Sequence, residues 1–148
     1  MSKAFIKEES DRAAEVLPDR EISPHANLVT EEGMAQIEAA IEKLQKELGI
    51  TSASDTSVAR DLRYWTAQLA RAQLTANSDP SQVKFGSRVT VRRDDGSKET
   101  YRIVGMDEAD PKQGTLSYIS PLAQALMDRE VADSVQIGGI RREITEIS

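Results

Sequence analysis

The chain has 148 residues, of which 39% are apolar and 30% are charged, and its formal net charge at pH 7 is −6. This length accommodates one ordinary domain or two small ones, which makes a single large enzyme core unlikely. The absence of cysteine excludes disulfides, thiolate metal sites and a cysteine nucleophile.

Neither half of the chain is basic. Residues 1–80 carry 9 basic and 14 acidic residues, and residues 81–148 carry 10 and 11. Because a protein neutralises phosphates with a basic surface, the charge balance argues against autonomous nucleic-acid binding. No charged leader followed by an apolar run opens the sequence, and no run approaches the roughly 20 apolar residues that cross a bilayer. We therefore expect a cytoplasmic protein.

The first 29 residues mix charged residues with alanine, contain Pro18 and Pro24, and show no sustained hydrophobic period. This composition is typical of an extended or disordered segment. We therefore interpret residues 1–29 as an N-terminal arm.

Residues 30–76 show the period of two amphipathic helices. Apolar residues three and four apart form one stripe at Met34, Ile37, Ile41, Leu44 and Leu48, and a second at Val58, Leu62, Trp65, Leu69 and Ala72. Thr30 is suited to cap the first helix, and Gly49 to end it. The short connection favours antiparallel neighbours. We predict an antiparallel αα-hairpin (coiled coil) over residues 30–76 and a linker over residues 77–83.

From residue 84 the period changes to two. Val89 and Val91 alternate with polar residues, Asp95-Gly96 favours a tight hairpin turn, and three further strands are predicted after residue 114. One short helix interrupts them, and Ser120-Pro121 is a strong signal for its start. A serine side chain accepts from amides of the first turn, and proline at the first position gives up an amide that lacks a partner. We predict an α+β protein with a small, mostly antiparallel β domain over residues 84–148.

Two motifs in this domain point to a family. Thr100–Asp110 reads TYRIVGMDEAD and Ser120–Leu126 reads SPLAQAL. They resemble the C-terminal domain of the bacterial Gre transcript-cleavage factors, GreA and GreB. The helical hairpin, the linker and FGSRVTV at Phe85–Val91 occur in the order that this family uses. The resemblance spans residues 30–148.

The resemblance implies an FKBP-like C-terminal fold and a non-enzymatic transcription elongation factor without a cofactor. It also implies docking at the rim of the RNA polymerase secondary channel, with the hairpin inside the channel. The polymerase contacts that it implies are Asp107, Glu108, Ile119, Ser120 and Pro121. Ile119 departs from the family pattern, because GreB has an aspartate before Ser-Pro. The charged hairpin surface makes a monomer the expected state.

The hairpin tip departs further from the family. Gre factors carry a tip motif whose two carboxylates help to hold a catalytic Mg²⁺ in the polymerase, a task that requires both oxygen ligands. The matching positions here are Ser57 and Arg60. Asp55 and Asp61 remain as substitutes, although Asp55 also suits a helix N-cap and Asp61 an ordinary solvated position. We therefore predict no metal site of the chain's own and weak or absent stimulation of transcript cleavage.

Two other functions remain open. A relative of the short-hairpin Rnk-type proteins, regulators of nucleoside diphosphate kinase that share the C-terminal domain, would act mainly through that domain and compete with Gre factors. A prolyl isomerase is less favoured, because a fold carries no activity by itself and aromatic residues are few. His25 is the one histidine, and no Ser or Cys nucleophile pattern surrounds it.

Overall fold

The computed structural model describes residues 17–50, 56–76 and 79–148. Within these ranges the chain forms two compact units, the first from residues 17–24 with 37–71 and the second from residues 25–36 with 72–148. The elements in chain order are β1 (Asn27–Val29), α1 (Glu31–Ile50), α2 (Thr56–Arg71), β2 (Ala72–Leu74), β3 (Arg88–Arg93), β4 (Lys98–Val104), a 3₁₀ turn (Pro111–Gln113), β5 (Thr115–Ser117), α3 (Pro121–Leu126), β6 (Ser134–Ile137) and β7 (Ile140–Ile147).

The α+β class is confirmed, and so are both predicted helices. Thr30 precedes α1, and its hydroxyl accepts from the amide of Gly33 at 3.0 Å, which is the predicted N-cap. Gly49 does not end α1, because the helix runs to Ile50. The predicted cap residue Asp55 and part of the predicted linker lie outside the described residues. Apart from the end of the predicted arm, the predicted domain boundaries stay predictions.

The buried face of α2 differs from the predicted stripe. Val58, Tyr64 and Gln68 are the buried residues of this helix, whereas Leu69 is exposed and Ala72 begins β2. Asp19 and Arg20 of the same unit contact this helix, through an ion pair with Arg63 and a contact with Tyr64. The guanidinium of Arg20 lies 3.7 Å from the ring centre of Tyr64, a favourable cation–π contact. The period of the helix does not predict this contact.

A two-stranded parallel sheet occupies a place where the sequence analysis assigned no strand. β1 pairs with β2, with Asn27 opposite Ala72 and Val29 opposite Leu74. Asn27 and Val29 are buried. Residues 27–29 are therefore a strand of the second unit and not part of a free arm, a correction that depends on pairing between segments far apart in the chain.

The second unit also holds a five-stranded sheet in the order β5-β4-β3-β7-β6. All neighbours are antiparallel except β4 and β5, so the predicted mostly antiparallel sheet is confirmed. The Asp95-Gly96 turn joins β3 to β4, and Gly96 has φ +87°, a left-handed conformation that glycine adopts without steric cost.

The core of this unit lies between one face of the sheet and α3. Its aliphatic side chains come from alternate strand positions, as the period of two requires. Phe85 and Tyr118 meet edge to face with ring centres 5.6 Å apart. The fully or almost fully buried members include Val83, Val89, Val91, Ile103, Ala123, Leu126 and Ile144. None of the described helices is long and apolar enough to span a membrane.

Candidate functional site

The predicted contact residues lie in the segment that connects β4 to α3. β4 ends at Val104, and a turn follows that contains Asp107 and Glu108, both half-buried. After the 3₁₀ turn and β5, the chain reaches Ile119 and Ser120, which are also half-buried, and Pro121, which is exposed. The structure therefore places these residues at the two ends of one connecting segment.

Glu108 is committed to hydrogen bonds inside its own unit. Its Oε2 accepts from the backbone amides of Thr30 and Gly105, at 3.1 Å each, and its Oε1 accepts from the Thr30 hydroxyl. We call these three residues the Glu108 latch. The latch joins the start of α1 to the turn after β4, because Thr30 also caps that helix. Charged acceptors make stronger hydrogen bonds than neutral ones.

The latch leaves no room for side chains beside it. A Cβ atom on Gly33 would lie 2.1 Å from Glu108 Oε2, and one on Gly105 would lie 2.6 Å from the carbonyl oxygen of Leu28. The first clash is with the end of a flexible side chain, whereas the second is with backbone and is harder to relieve. Glycine at 105 is therefore required by a close approach that the sequence does not signal.

Ser120 caps α3 as predicted. Its backbone is extended (φ −68°, ψ 153°), and its hydroxyl accepts from the Ala123 amide at 3.4 Å. Gln124 donates through Nε2 to the Tyr118 carbonyl at 2.7 Å, which ties the first turn of α3 to the segment before it. These contacts hold the exposed ring of Pro121 at the start of a short, ordered helix.

The first turn of α1 carries a second polar feature. The pKa of Glu32 lies below its ordinary value, because its own backbone amide and then the charge of Arg102 favour the ionised carboxylate. The Arg102 Nη2 to Glu32 Oε2 distance is 3.4 Å. Sequence reasoning did not single out Arg102, since the pair joins residues distant in the chain and no local signal marks it.

At the other predicted site, Asp61 is surrounded by arginine. Its Oδ1 accepts from Nε and Nη2 of Arg60, both at 3.2 Å, and lies 3.6 Å from Nη1 of Arg20. Ser57 is exposed and Arg60 is half-buried. All of these contacts are made by Oδ1, and ion pairs between partly exposed side chains contribute little free energy. Within the described ranges, no group of three or more His, Cys, Asp or Glu side chains could hold a metal ion.

Comparison with known proteins identifies the family. Residues 77–148 match the family described as transcription elongation factor GreA/GreB, C-terminal. The chain is 37% identical over 135 residues to the transcription elongation factor GreA of Chloroflexus aggregans, covering 74% of this chain and 86% of that protein. It is 34% identical over 125 residues to the GreA of Maricaulis maris, covering 74% and 80%.

Two solved structures are also similar. The GreA factor homolog 1 protein of Thermus thermophilus shares 17% identity, with 84% of this chain and 99% of that chain covered and a TM-score of 0.44. The GreA/GreB factor from Nitrosomonas europaea shares 21% identity, with 82% and 98% covered and a TM-score of 0.44. On the strength of the sequence matches, the chain belongs to the GreA/GreB family of transcription elongation factors.

Proposed function

We propose that this protein binds RNA polymerase at its secondary channel and regulates elongation by occupying that channel, with weak or absent stimulation of transcript cleavage. In this proposal the protein is not an enzyme, acts as a cytoplasmic monomer and needs no cofactor. Polymerase binding is supported by the family to which the chain belongs. The relatives that it matches over most of their length are named transcription elongation factors.

We further propose the arrangement that the family resemblance implies. Residues of α1 and α2 form an antiparallel coiled-coil hairpin that enters the channel, and the second unit has an FKBP-like fold that docks at the rim. The proposed docking surface consists of Asp107, Ile119, Ser120 and Pro121. Glu108, predicted as a further contact, acts in this proposal as a positioning residue, since its hydrogen bonds to Thr30 and Gly105 hold the turn that carries Asp107.

The proposed loss of cleavage chemistry is supported by the residues at the two family positions and not by the ion pairs of Asp61, which use only one of its two oxygens. Holding a catalytic Mg²⁺ requires carboxylate oxygens that are free to coordinate it. The two positions that match the acidic pair of the family, Ser57 and Arg60, supply no carboxylate. A factor with this tip binds the polymerase and obstructs its secondary channel, but does not help to hold the catalytic Mg²⁺.

The test is a transcript-cleavage assay on a backtracked polymerase complex, with the protein added alone and in competition with a cleavage-competent GreA. We expect no cleavage above background from the protein alone and progressive inhibition of GreA. Stimulated cleavage would contradict the proposal for the tip. Failure of a large excess to inhibit GreA, together with no binding to core polymerase, would contradict the docking proposal.

A matched pair of variants locates the docking surface. Asp107→Asn changes one proposed contact, whereas Asp94→Asn changes an exposed aspartate on the β3–β4 turn of the same unit. We expect the first variant to need a several-fold higher concentration for half-maximal inhibition of GreA and the second to behave like the parent protein. Equal inhibition by both variants would remove Asp107 from the surface.

A further inference from the structure

One side of α2 carries an apolar groove of about 580 Å³, to which α1 contributes one residue. The α2 residues of the groove are spaced three and four apart in alternation, which places them on one face of the helix. All of the lining residues belong to the first unit. They are Leu48 of α1 and Ala59, Leu62, Arg63, Thr66, Ala67 and Ala70 of α2.

The composition of the groove is typical of an interaction surface. Five of its seven lining residues are leucine or alanine, and the two polar ones, Arg63 and Thr66, are exposed. A contiguous apolar surface with polar residues beside it marks an interaction site, because leaving such a surface in water is unfavourable. The small alanine side chains leave room for bulkier apolar groups from another segment.

The chain enters the described part of the structure beside this groove. Asp19 Oδ1 accepts from Nε of Arg63 at 2.6 Å, and Arg63 lines the groove. Arg20 lies 3.7 Å from the ring centre of Tyr64, the next residue of α2. Leu17 is two positions before Asp19, so their Cα atoms lie within about 8 Å of each other. The residues that precede Leu17 therefore start next to the groove.

Residues 1–16 have the length to follow the groove. It runs from Ala59 to Ala70, a distance of about 16 Å at 1.5 Å per residue. Sixteen residues span about 24 Å as a helix and about 50 Å when fully extended. Seven of the sixteen are charged, so the segment cannot build a core of its own. Its adjacent apolar residues, Phe5 and Ile6, can be buried only against a surface elsewhere.

The covalent connection favours this segment over a second copy of the chain as the occupant. A segment joined to its binding site by a short linker has an effective concentration in the millimolar range. A separate chain would have to reach a similar concentration in solution to compete. The segment also needs fewer contacts to stay bound, because it does not lose the overall translational freedom that a separate partner loses.

We propose that residues 1–16 bind along the groove of the first unit, with Phe5 and Ile6 packed against Leu62 and the alanines beside it. The N-terminal segment then supplies the apolar surface that α1 and α2 lack on this side. The interaction lies within one chain and does not depend on polymerase binding, so it goes beyond the proposed function.

The first test locates the segment in the full chain. The sequence contains no cysteine, so Ser2→Cys provides one attachment point for a nitroxide spin label. We expect the label to broaden the methyl NMR signals of Leu62 and Ala67. Adding Phe5→Ser and Ile6→Ser should remove most of this broadening, although the covalent connection is unchanged. Broadening that is equal with and without these two substitutions, or absent from both proteins, would overturn the proposal.

A mixed sample identifies the occupant. Isotope-labelled chain without a spin label is combined with spin-labelled chain at natural isotope abundance, so that only contacts between chains broaden the signals. We expect no broadening at the groove in this sample. Broadening as strong as that within one chain would assign the groove to a second copy and contradict the proposal.

A matched pair of substitutions tests the groove itself. Ala70→Glu places a charge in the groove, whereas Ala39→Glu places the same charge at an exposed position of α1 outside it. We expect Ala70→Glu to reduce the broadening several-fold and Ala39→Glu to leave it unchanged. Equal broadening in both variants would rule out binding along this groove. Circular dichroism checks that both variants keep their helices, and if Ala70→Glu does not, the comparison with Phe5→Ser and Ile6→Ser decides.

Discussion

The carboxylate of Glu108 illustrates how much one side chain can organise. It accepts from three donors on two segments, the Thr30 amide and hydroxyl and the Gly105 amide. The motif TYRIVGMDEAD contains this glutamate, and a family resemblance alone predicts it as a partner contact. In the structure its oxygens accept from Thr30 and Gly105, which is why we propose that it positions its neighbours and does not contact the partner itself.

A glycine beside the latch allows a direct test of close packing. Gly105→Ala places a methyl group 2.6 Å from the Leu28 carbonyl oxygen, and we expect it to lower the free energy of unfolding by about 1–3 kcal/mol. Gly49→Ala is the matched control, because among the described residues no atom outside its own helix and neighbours lies within 4 Å of the added methyl group. Alanine there favours the helix, so we expect a gain of up to about 1 kcal/mol. Urea unfolding measures both, and equal effects would contradict the close approach at Gly105.

Asp95 in the β3–β4 turn predicts a specific pH dependence. The Ser97 hydroxyl and then the Ser97 amide donate to its carboxylate, which holds the pKa of Asp95 below the ordinary value of 3.8. The stabilisation by a lowered pKa is complete above the unfolded pKa and is lost as the pH falls through the folded pKa. We therefore expect this contribution to disappear only below about pH 4.

NMR titration of the Asp95 carboxyl carbon measures this effect. Its midpoint is expected below 3.8, and in Ser97→Ala it should move upward, because the largest cause of the shift has been removed. A midpoint that is the same in both proteins would show that the hydroxyl does not act on the carboxylate.

The start of α3 is stabilised by the capping hydroxyl of Ser120. Ser120→Ala removes the oxygen that accepts from the Ala123 amide, and we expect a loss of about 1 kcal/mol in the free energy of unfolding. Ser120→Thr keeps a capping hydroxyl and should recover most of that loss. Chemical unfolding followed by circular dichroism measures the three proteins, and equal losses in both variants would mean that packing and not capping explains the effect.

The two long helices show where a periodic pattern is ambiguous. Both stripes satisfy helical spacing, and both segments are helices, but α2 buries Val58, Tyr64 and Gln68. Leucines on the neighbouring side of the same helix look more hydrophobic in sequence. The contacts of Arg20 are not visible in the period of the helix: this residue stacks on Tyr64 and pairs with Asp61. The hydrophobic period of a helix can be read from the local sequence, whereas its buried face depends on which residues pack against it.

At the scale of the whole molecule, the second unit includes residues from before the helices. Residues 25–36 contribute β1, the latch residue Thr30, and Ala26, whose carbonyl accepts from the Tyr118 hydroxyl. A fragment of residues 77–148, the span that the family model matches, lacks all of them. We expect this fragment to unfold at lower urea concentration than the full chain, as followed by circular dichroism.

Glu108→Ala provides the control for that comparison. In the full chain it leaves donors of Thr30 and Gly105 without an acceptor, and each unsatisfied buried donor costs about 1–3 kcal/mol. In the fragment Thr30 is absent, so the same substitution should cost less. An equal cost in both backgrounds would show that the latch does not join these segments in solution.

The division into units also separates the two functional alternatives. In a variant with residues 37–71 replaced by a short linker, the second unit is kept and the proposed channel-entering helices are removed. We expect loss of competition with GreA in the transcript-cleavage assay. Competition equal to that of the full chain would instead favour action through the second unit alone, as for a Rnk-type regulator.

The sequence by itself determined the family, the α+β class, the helix start after Thr30, the cap at Ser120 and the turn at Asp95-Gly96. Each of these signals depends on residues within a few positions of one another, or on a motif short enough to be read directly. Side-chain period and capping can therefore be read from the sequence without knowledge of any long-range contact.

Only the tertiary structure decided the pairing of β1 with β2, the partners of Glu108, the buried face of α2 and the ion pair of Glu32 with Arg102. These contacts join segments that are distant in the chain, and their free energy appears only when the whole unit closes. A carboxylate or a guanidinium looks the same in sequence whether it faces solvent or an internal partner, because its environment comes from the fold.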